Sequence, residues 1–333
     1  MRKKTLHKKK IATAILVLLS AYSITSYGAD RKGTVSISFE NDLFGPGEDD
    51  NYTHGSQISY VSDTYMPHWA QRAAEKLSYD TNYTDIRYVT TIGQQIYAPA
   101  DISRSELIED DRPYAGWLYF SAGLLADSNE GKYRTLDKSE IIVGLVGPDS
   151  GAEAAQKTAH KLVGVQRPEG WDNQLHNEFT LDIQFQRQWM IPILDNRIDV
   201  VPQINTILGS SNRSVGTGAT FRIGKGVNAD YGPPLLRPSA TGSNYFNNHQ
   251  DFYWYFFTGV FGRYVEHNIF LDGNTDGNSH SVDKNEWIGD VQLGLVAGAG
   301  DWRVTFTNII RSHEFEKQTE GDAFGSIGVS YRF

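Results

Sequence analysis

The chain has 333 residues, with 40 acidic against 31 basic side chains and a net charge of −9, a balance that argues against nucleic acid as a partner. It contains no cysteine, which excludes disulfides and a lipid anchor of the N-terminal-cysteine kind. Its 32 glycines, 16 Phe, 18 Tyr and 7 Trp suit strands and turns better than packed helices.

MRKKTLHKKK is a basic head, and Ile11 to Tyr22 is an apolar stretch too short to cross a bilayer as a helix. Small residues at Ser26 and Gly28 predict cleavage after Gly28, so 1–28 reads as an export signal and 29–333 as a single β domain. Losing six basic residues and no acids takes the net charge to −15. No other stretch approaches about 20 apolar residues, so a membrane-resident form has to be a closed barrel.

The exported part breaks into segments of roughly ten residues in which apolar and polar residues alternate. Predicted strands cover 33–42, 54–63, 84–97, 114–126, 134–147, 176–189, 196–208, 213–226, 251–271, 283–297, 301–311 and 321–333. At the C-terminus Ile327, Val329, Tyr331 and Phe333 share one face, and Ser326, Gly328, Ser330 and Arg332 the other. A soluble sandwich alternates as well. Three features turn the reading to an all-β, transmembrane antiparallel β-barrel of about twelve strands: a polar face of Gln, Asn, Thr, Asp and Arg, export without cysteine, and a terminal Tyr331-Arg332-Phe333 like that of bacterial outer-membrane barrels.

With both termini on the periplasmic side, connections 43–53, 98–113 and 148–175 face outward. Connections 64–83 and 227–250 then fall on the periplasmic side and are longer than that side favours; the first holds a possible helix at Trp69 to Leu77.

The stretch 149–178 departs from strand grammar. Ser150 and Glu153 read as a capping box, Ala152 to Val163 are mostly good helix formers, and Gly164 reads as the stop. Gln156 and His160, four apart, share one helix face.

Four blocks carry potential chemistry: Glu40-Asn41-Asp42 with Asn51-Tyr52-Thr53-His54-Gly55, Asp110-Asp111-Arg112-Pro113-Tyr114-Ala115-Gly116-Trp117, the helix with His160, and Gly170-Trp171-Asp172-Asn173-Gln174-Leu175. Together they resemble those of the outer-membrane lipid A 3′-O-deacylases, over essentially the whole exported chain. The resemblance implies a twelve-stranded outer-membrane enzyme with its site on the extracellular side, between the barrel rim and the loop helix. It implies calcium-dependent hydrolysis of the 3′-linked acyloxyacyl ester of lipid A in lipopolysaccharide. By position His160, Asn41, Asp42 and Thr53 match the family's catalytic residues, with Asn41 and Asp42 at the metal. Arg104 and Arg112 are the candidates for its basic substrate-binding residues, and Gln156 is a further candidate contact. Where the family has an acid six residues after the histidine, this chain has Gln166. A monomer working on membrane lipid is expected.

The residue chemistry is compatible. A histidine with an unperturbed pKa of ~6.5 can take a proton from water near neutral pH. A carboxylate with an amide oxygen suits calcium, and magnesium as well. Without the resemblance, Asn41-Asp42 reads as turn chemistry and Asp111-Arg112-Pro113 as a rim ion pair. No G-x-S-x-G occurs, so a serine hydrolase has no support. The alternatives are a phospholipase-type acyl hydrolase and a non-enzymatic pore or structural barrel. Asp272 to Asp283 has the spacing of a calcium loop but lies between strands, and reads as a plain turn.

Overall fold

In the computed structural model twelve antiparallel strands close into one barrel, with β1 paired to both β2 and β12. The structure describes residues 33–42, 51–63, 85–129, 132–232 and 249–333, together with His68, Arg72, Lys76, Tyr83 and Phe246. The strands are β1 Thr34–Asn41, β2 Asn51–Val61, β3 Asp85–Ala98, β4 Ala115–Ser128, β5 Arg134–Val146 and β6 Glu178–Leu194. They continue as β7 Ile198–Gly209, β8 Asn212–Lys225, β9 His249–Asn268, β10 Trp287–Gly300, β11 Trp302–Arg311 and β12 Ala323–Arg332. Among the described residues the helices with full bounds are α1 Ala152–Val163 and the single turn α2 Ile269–Asp272. The predicted export signal lies outside the described residues, as do 43–50 and most of the predicted 69–77 helix, of which Arg72 and Lys76 are helical.

Alternation sorts the two faces. On β1, Ser36, Ser38 and Glu40 are buried while Ile37 and Phe39 are 40% and 47% exposed. The polar set faces the lumen and pairs across it: Gln184 Nε2 donates to Asn205 at 3.0 Å, and Gln186 Nε2 to Gln203 at 3.0 Å. The apolar set faces outward, where a bilayer solvates it. β9 ends earlier than predicted, because the Asn268 side chain accepts a hydrogen bond from Phe270 N (3.2 Å) and starts α2.

The long 226–248 connection, too long for a periplasmic turn, has a structural role in its described part. Val227–Ala229 forms a 3-10 turn, after which Asp230 is fully buried. Arg222 Nη1 (3.1 Å), Arg303 Nη1 (2.9 Å) and the Tyr255 hydroxyl (2.5 Å) all donate to its carboxylate. Arg222 also donates to Asp199 at 2.8 Å, and Phe246 stacks on Arg303. This end of the lumen is packed with paired charges.

At the opposite rim the connections β3–β4, β5–β6 and β11–β12 knit together. Glu169 N donates to the Ile102 carbonyl (2.9 Å), Leu175 N to that of Tyr114 (2.9 Å), and Arg112 Nη2 to Glu314 (2.8 Å). Of the connections predicted to share one rim, 98–113 and 148–175 therefore do so, while 43–50 lies outside the described residues.

Candidate active site

α1 is fastened to the outside of the barrel. Asn41, His54, Ile96 and Gly116 are register partners across β1 to β4 and alternate with lumen-facing Glu40, Gln95 and Trp117, so they form one outward row. A Cβ on Gly116 would lie 2.1 Å from that of Ala152 and 2.3 Å from Ser150 Oγ. Only glycine lets the helix start so close to the wall. Gln94, also outward, donates from Nε2 to the Ser150 carbonyl at 2.8 Å. Ile96, Ala98, Ile102, Tyr114, Ala152 and Trp171 form one apolar cluster beneath the helix. Each large side chain buried there is worth roughly 1.5–3 kcal/mol, which a twelve-residue helix needs because it is marginal alone.

The predicted capping box does not form. Gly151, in the left-handed region at φ 74°, is the N-cap, behind a 3-10 turn at Pro148–Ser150. Ser150 Oγ accepts from Ala152 N (3.4 Å), and Glu153 pairs with Lys157 (2.8 Å) instead of turning back. The stop is as predicted: Gly164 has φ 81° and its N–H donates to the His160 carbonyl at 2.8 Å.

That stop also orders the histidine. Val165 N donates to the same carbonyl (3.1 Å), folding the chain back so that the Gln166 carbonyl meets His160 Nδ1 at 2.5 Å. A carbonyl only accepts, so Nδ1 carries the proton and Nε2 is the basic nitrogen. Main chain thus supplies a partner for Nδ1, while the Gln166 side chain is exposed and donates to the Arg167 carbonyl (3.0 Å). His160 is 9% and Gln156 3% exposed, both on the barrel-facing side of α1.

Across the wall, Asn41 is half-buried and Asp42 is 2% exposed at the end of β1. An amide and a carboxylate are hard oxygen donors of the kind calcium takes, so the pair fits such an ion by its chemistry. Thr53 is the inserted residue where the register slips between Tyr52 and His54; its side chain is outside the described residues. Bulges of this kind recur beside active sites. His54 was not singled out from sequence, yet it faces outward directly beside Asn41. Its place in the alternation of β2 was the available signal.

The sequence model for outer membrane protein LpxR matches residues 11–333. The chain belongs to this family. Among solved structures it is similar to LpxR from Salmonella typhimurium, with 20% identity, a TM-score of 0.71, and coverage of 90% of this chain and 100% of that one. The β-domain of the Bordetella autotransporter BrkA is a more distant neighbour, at 10% identity and TM-score 0.48, covering 91% and 99%. No curated protein matches the chain. The motif blocks thus resembled the family that the match names, and the protein is an LpxR-family outer-membrane barrel.

Arg104 is exposed on the β3–β4 connection beside Gly170, whose added Cβ would lie 2.8 Å from the Arg104 carbonyl. Arg112 is not available to a substrate. It is 1% exposed, paired to Glu314, and stacked over Tyr97 (5.5 Å) and Phe315 (5.7 Å) inside the mouth. Glu314 is held down to about 2: burial opposes its ionisation, but Arg311, Arg112 and Arg263 outweigh it. Nearby Asp322 is pushed up to about 7 by burial and by Glu314.

The calcium-loop spacing at 272–283 builds a turn. Asp272 faces His267 (2.9 Å) and Lys284 (2.9 Å), while Asn274 donates to Glu178 (2.9 Å) and accepts from His176 N (2.8 Å). Burial opposes it, yet the bonds from His267, Asn268 and Lys284 hold the Asp272 carboxyl below the usual range. Among the described residues no three His, Cys, Asp or Glu side chains cluster for a metal.

Proposed function

We propose that the protein is a lipid A deacylase that hydrolyses the 3′-linked acyloxyacyl ester at the extracellular rim, with His160 as general base. The observation that carries the reading is the fixed ring: a buried histidine, one tautomer selected by the Gln166 carbonyl, on a helix clamped to the lipid-facing wall of an LpxR-family barrel. A substrate embedded in the bilayer would reach that wall sideways, without passing through the lumen.

Scale supports pairing the histidine with Asn41 and Asp42. From Ala152 to His160 the helix rises about 12 Å. From Gly116 on β4 to Asn41 on β1 the outward row spans about 14 Å. Asn41 and Asp42 would hold calcium, with main-chain oxygens, water and substrate completing roughly six to eight ligands. When bound, the cation supplies Lewis-acid polarisation of the ester carbonyl.

The side chains then act as follows. His160 Nε2 takes a proton from water as the water oxygen bonds to the acyl carbon. The ester C–O bond breaks, and the departing sugar oxygen receives the proton back from the imidazolium. The products are a free acyloxyacyl acid and a 3′-hydroxyl. Arg104 would pair with a lipid A phosphate, and Gln156 would contact the ester.

Mass spectrometry of lipid A after incubation of lipopolysaccharide with the protein tests this. Loss of the 3′ acyloxyacyl mass is expected, abolished by chelator and restored by calcium, and slowed about 10²–10⁴-fold by His160→Ala. Activity that survives chelation, or a His160→Ala variant at full rate, would overturn the mechanism. Acyl release from phospholipid alone would replace the reading with that of a phospholipase. Buried Arg222 and Arg303 inside the lumen argue against a pore.

A further inference from the structure

The carboxamide of Gln156 is held at one end only. Its Oε1 accepts a hydrogen bond from Trp171 Nε1 at 2.8 Å, while its Nε2 has no hydrogen-bond partner among the described residues. An indole nitrogen only donates, so the amide oxygen has to face Trp171 and the NH2 group has to face away. The amide cannot turn over without losing that bond.

Trp171 in turn cannot swing. It is 1% exposed, lies 4.9 Å from the Tyr114 ring, and follows Gly170, where a Cβ would meet that ring at 2.7 Å. Gln156 sits one helical turn before His160 on the same buried side of α1. A buried amide that lacks an acceptor is costly to fold around, and such groups persist mainly where function uses them.

We propose that Trp171 is a positioning residue that fixes the Gln156 NH2 group as a hydrogen-bond donor to the acyl carbonyl oxygen of the scissile ester. That oxygen gains negative charge as water attacks, and a preset donor stabilises it without reorganising. The attacking water is the poorer acceptor, because a donor aimed at it would draw electron density from the oxygen that must bond to carbon. The inference rests on the deacylase reading above.

The test is kcat and KM on lipopolysaccharide for the wild type, Gln156→Glu, Trp171→Phe and the double variant, with thermal midpoints alongside. Gln156→Glu keeps an acceptor for Trp171 but removes both donor hydrogens, and is expected to lower kcat about 100-fold or more with KM little changed. Trp171→Phe keeps the ring packing but frees the amide, with an expected loss of about tenfold in kcat. In the Gln156→Glu background the same change is expected to add nothing, because Trp171 acts only through Gln156.

An equal loss from Trp171→Phe in both backgrounds, a change confined to KM, or full kcat in Gln156→Glu would overturn the proposal. If Trp171→Phe does not fold, a benzothienyl-alanine at 171, which keeps the shape without the N–H, reads the same split. A wild type inactive on lipid A overturns the deacylase reading and, with it, the acceptor assigned here. An active wild type that is indifferent to Trp171 overturns this inference alone.

Discussion

The barrel buries polar groups in two places that treat them in opposite ways. Around Asp230 every oxygen of the carboxylate is matched, with two arginines and a tyrosine converging on it. Between α1 and the outer wall, Gln156 keeps an unmatched amide nitrogen, and the Gln166 main-chain carbonyl sets the tautomer of His160. The first arrangement packs that end of the lumen with mutually paired groups. The second leaves the Gln156 amide donor unmatched, as the proposed site, which must still meet a substrate, requires.

The most damaging way to probe the contrast is Asp230→Ala. It leaves Arg222 and Arg303 without their shared partner in a sealed lumen, and removing one member of such a set costs about 3–5 kcal/mol. A lower urea or thermal midpoint in detergent is expected, with kcat unchanged at permissive temperature. An unaltered midpoint would mean that the plug charges contribute nothing.

Asp322 sharpens the comparison, because it is the one strained carboxyl in the packed mouth. Its folded pKa of about 7 lies above the ordinary carboxylate value, so the folded state binds the proton more tightly. Stability therefore falls as pH rises from about 4 to about 7, then levels off. Asp322→Asn mimics the protonated form and is expected to match the wild type at pH 4 and exceed it at pH 8 by about 1–4 kcal/mol. Equal midpoints at both pH values would count against the strain.

Gly116→Val addresses the other region. A side chain there collides with Ala152 and Ser150 and lifts α1 from the wall, so kcat is expected to fall about tenfold or more while the barrel midpoint stays within about 1 kcal/mol. Loss of both together would make the helix part of the barrel's stability. The smallest effect is expected from Gln166→Ala, with a rate within about twofold of the wild type, because only the carbonyl of that residue meets His160. A large loss there would return the side chain to the mechanism.

The strands were legible because alternation is written directly into β1, β6, β7, β11 and β12. The helix and its glycine stop were legible for the same local reason. What lay beyond the sequence was pairing at a distance. Asp230 meets Arg303 some 73 positions away, and Arg112, which reads as a surface charge in Asp111-Arg112-Pro113, is drawn inside by Glu314, 202 positions away. The partner of His160 was hidden for a different reason: a main-chain carbonyl leaves no mark in the sequence. Gln156 and Trp171 were both visible, but nothing in their spacing of 15 announces a hydrogen bond.

The proposed hydrolysis requires above all that the imidazole and the oxygen donors at the end of β1 share one spot on the outer wall. Manganese(II), which takes the same hard donors as calcium, can report this through paramagnetic broadening in a histidine-labelled sample. Substoichiometric manganese is expected to broaden the ring signals of His160 and His54, to spare those of His267 and His280, and to lose this effect in Asp42→Ala. A His160 signal that stays sharp while manganese occupies the Asp42 site would contradict the account.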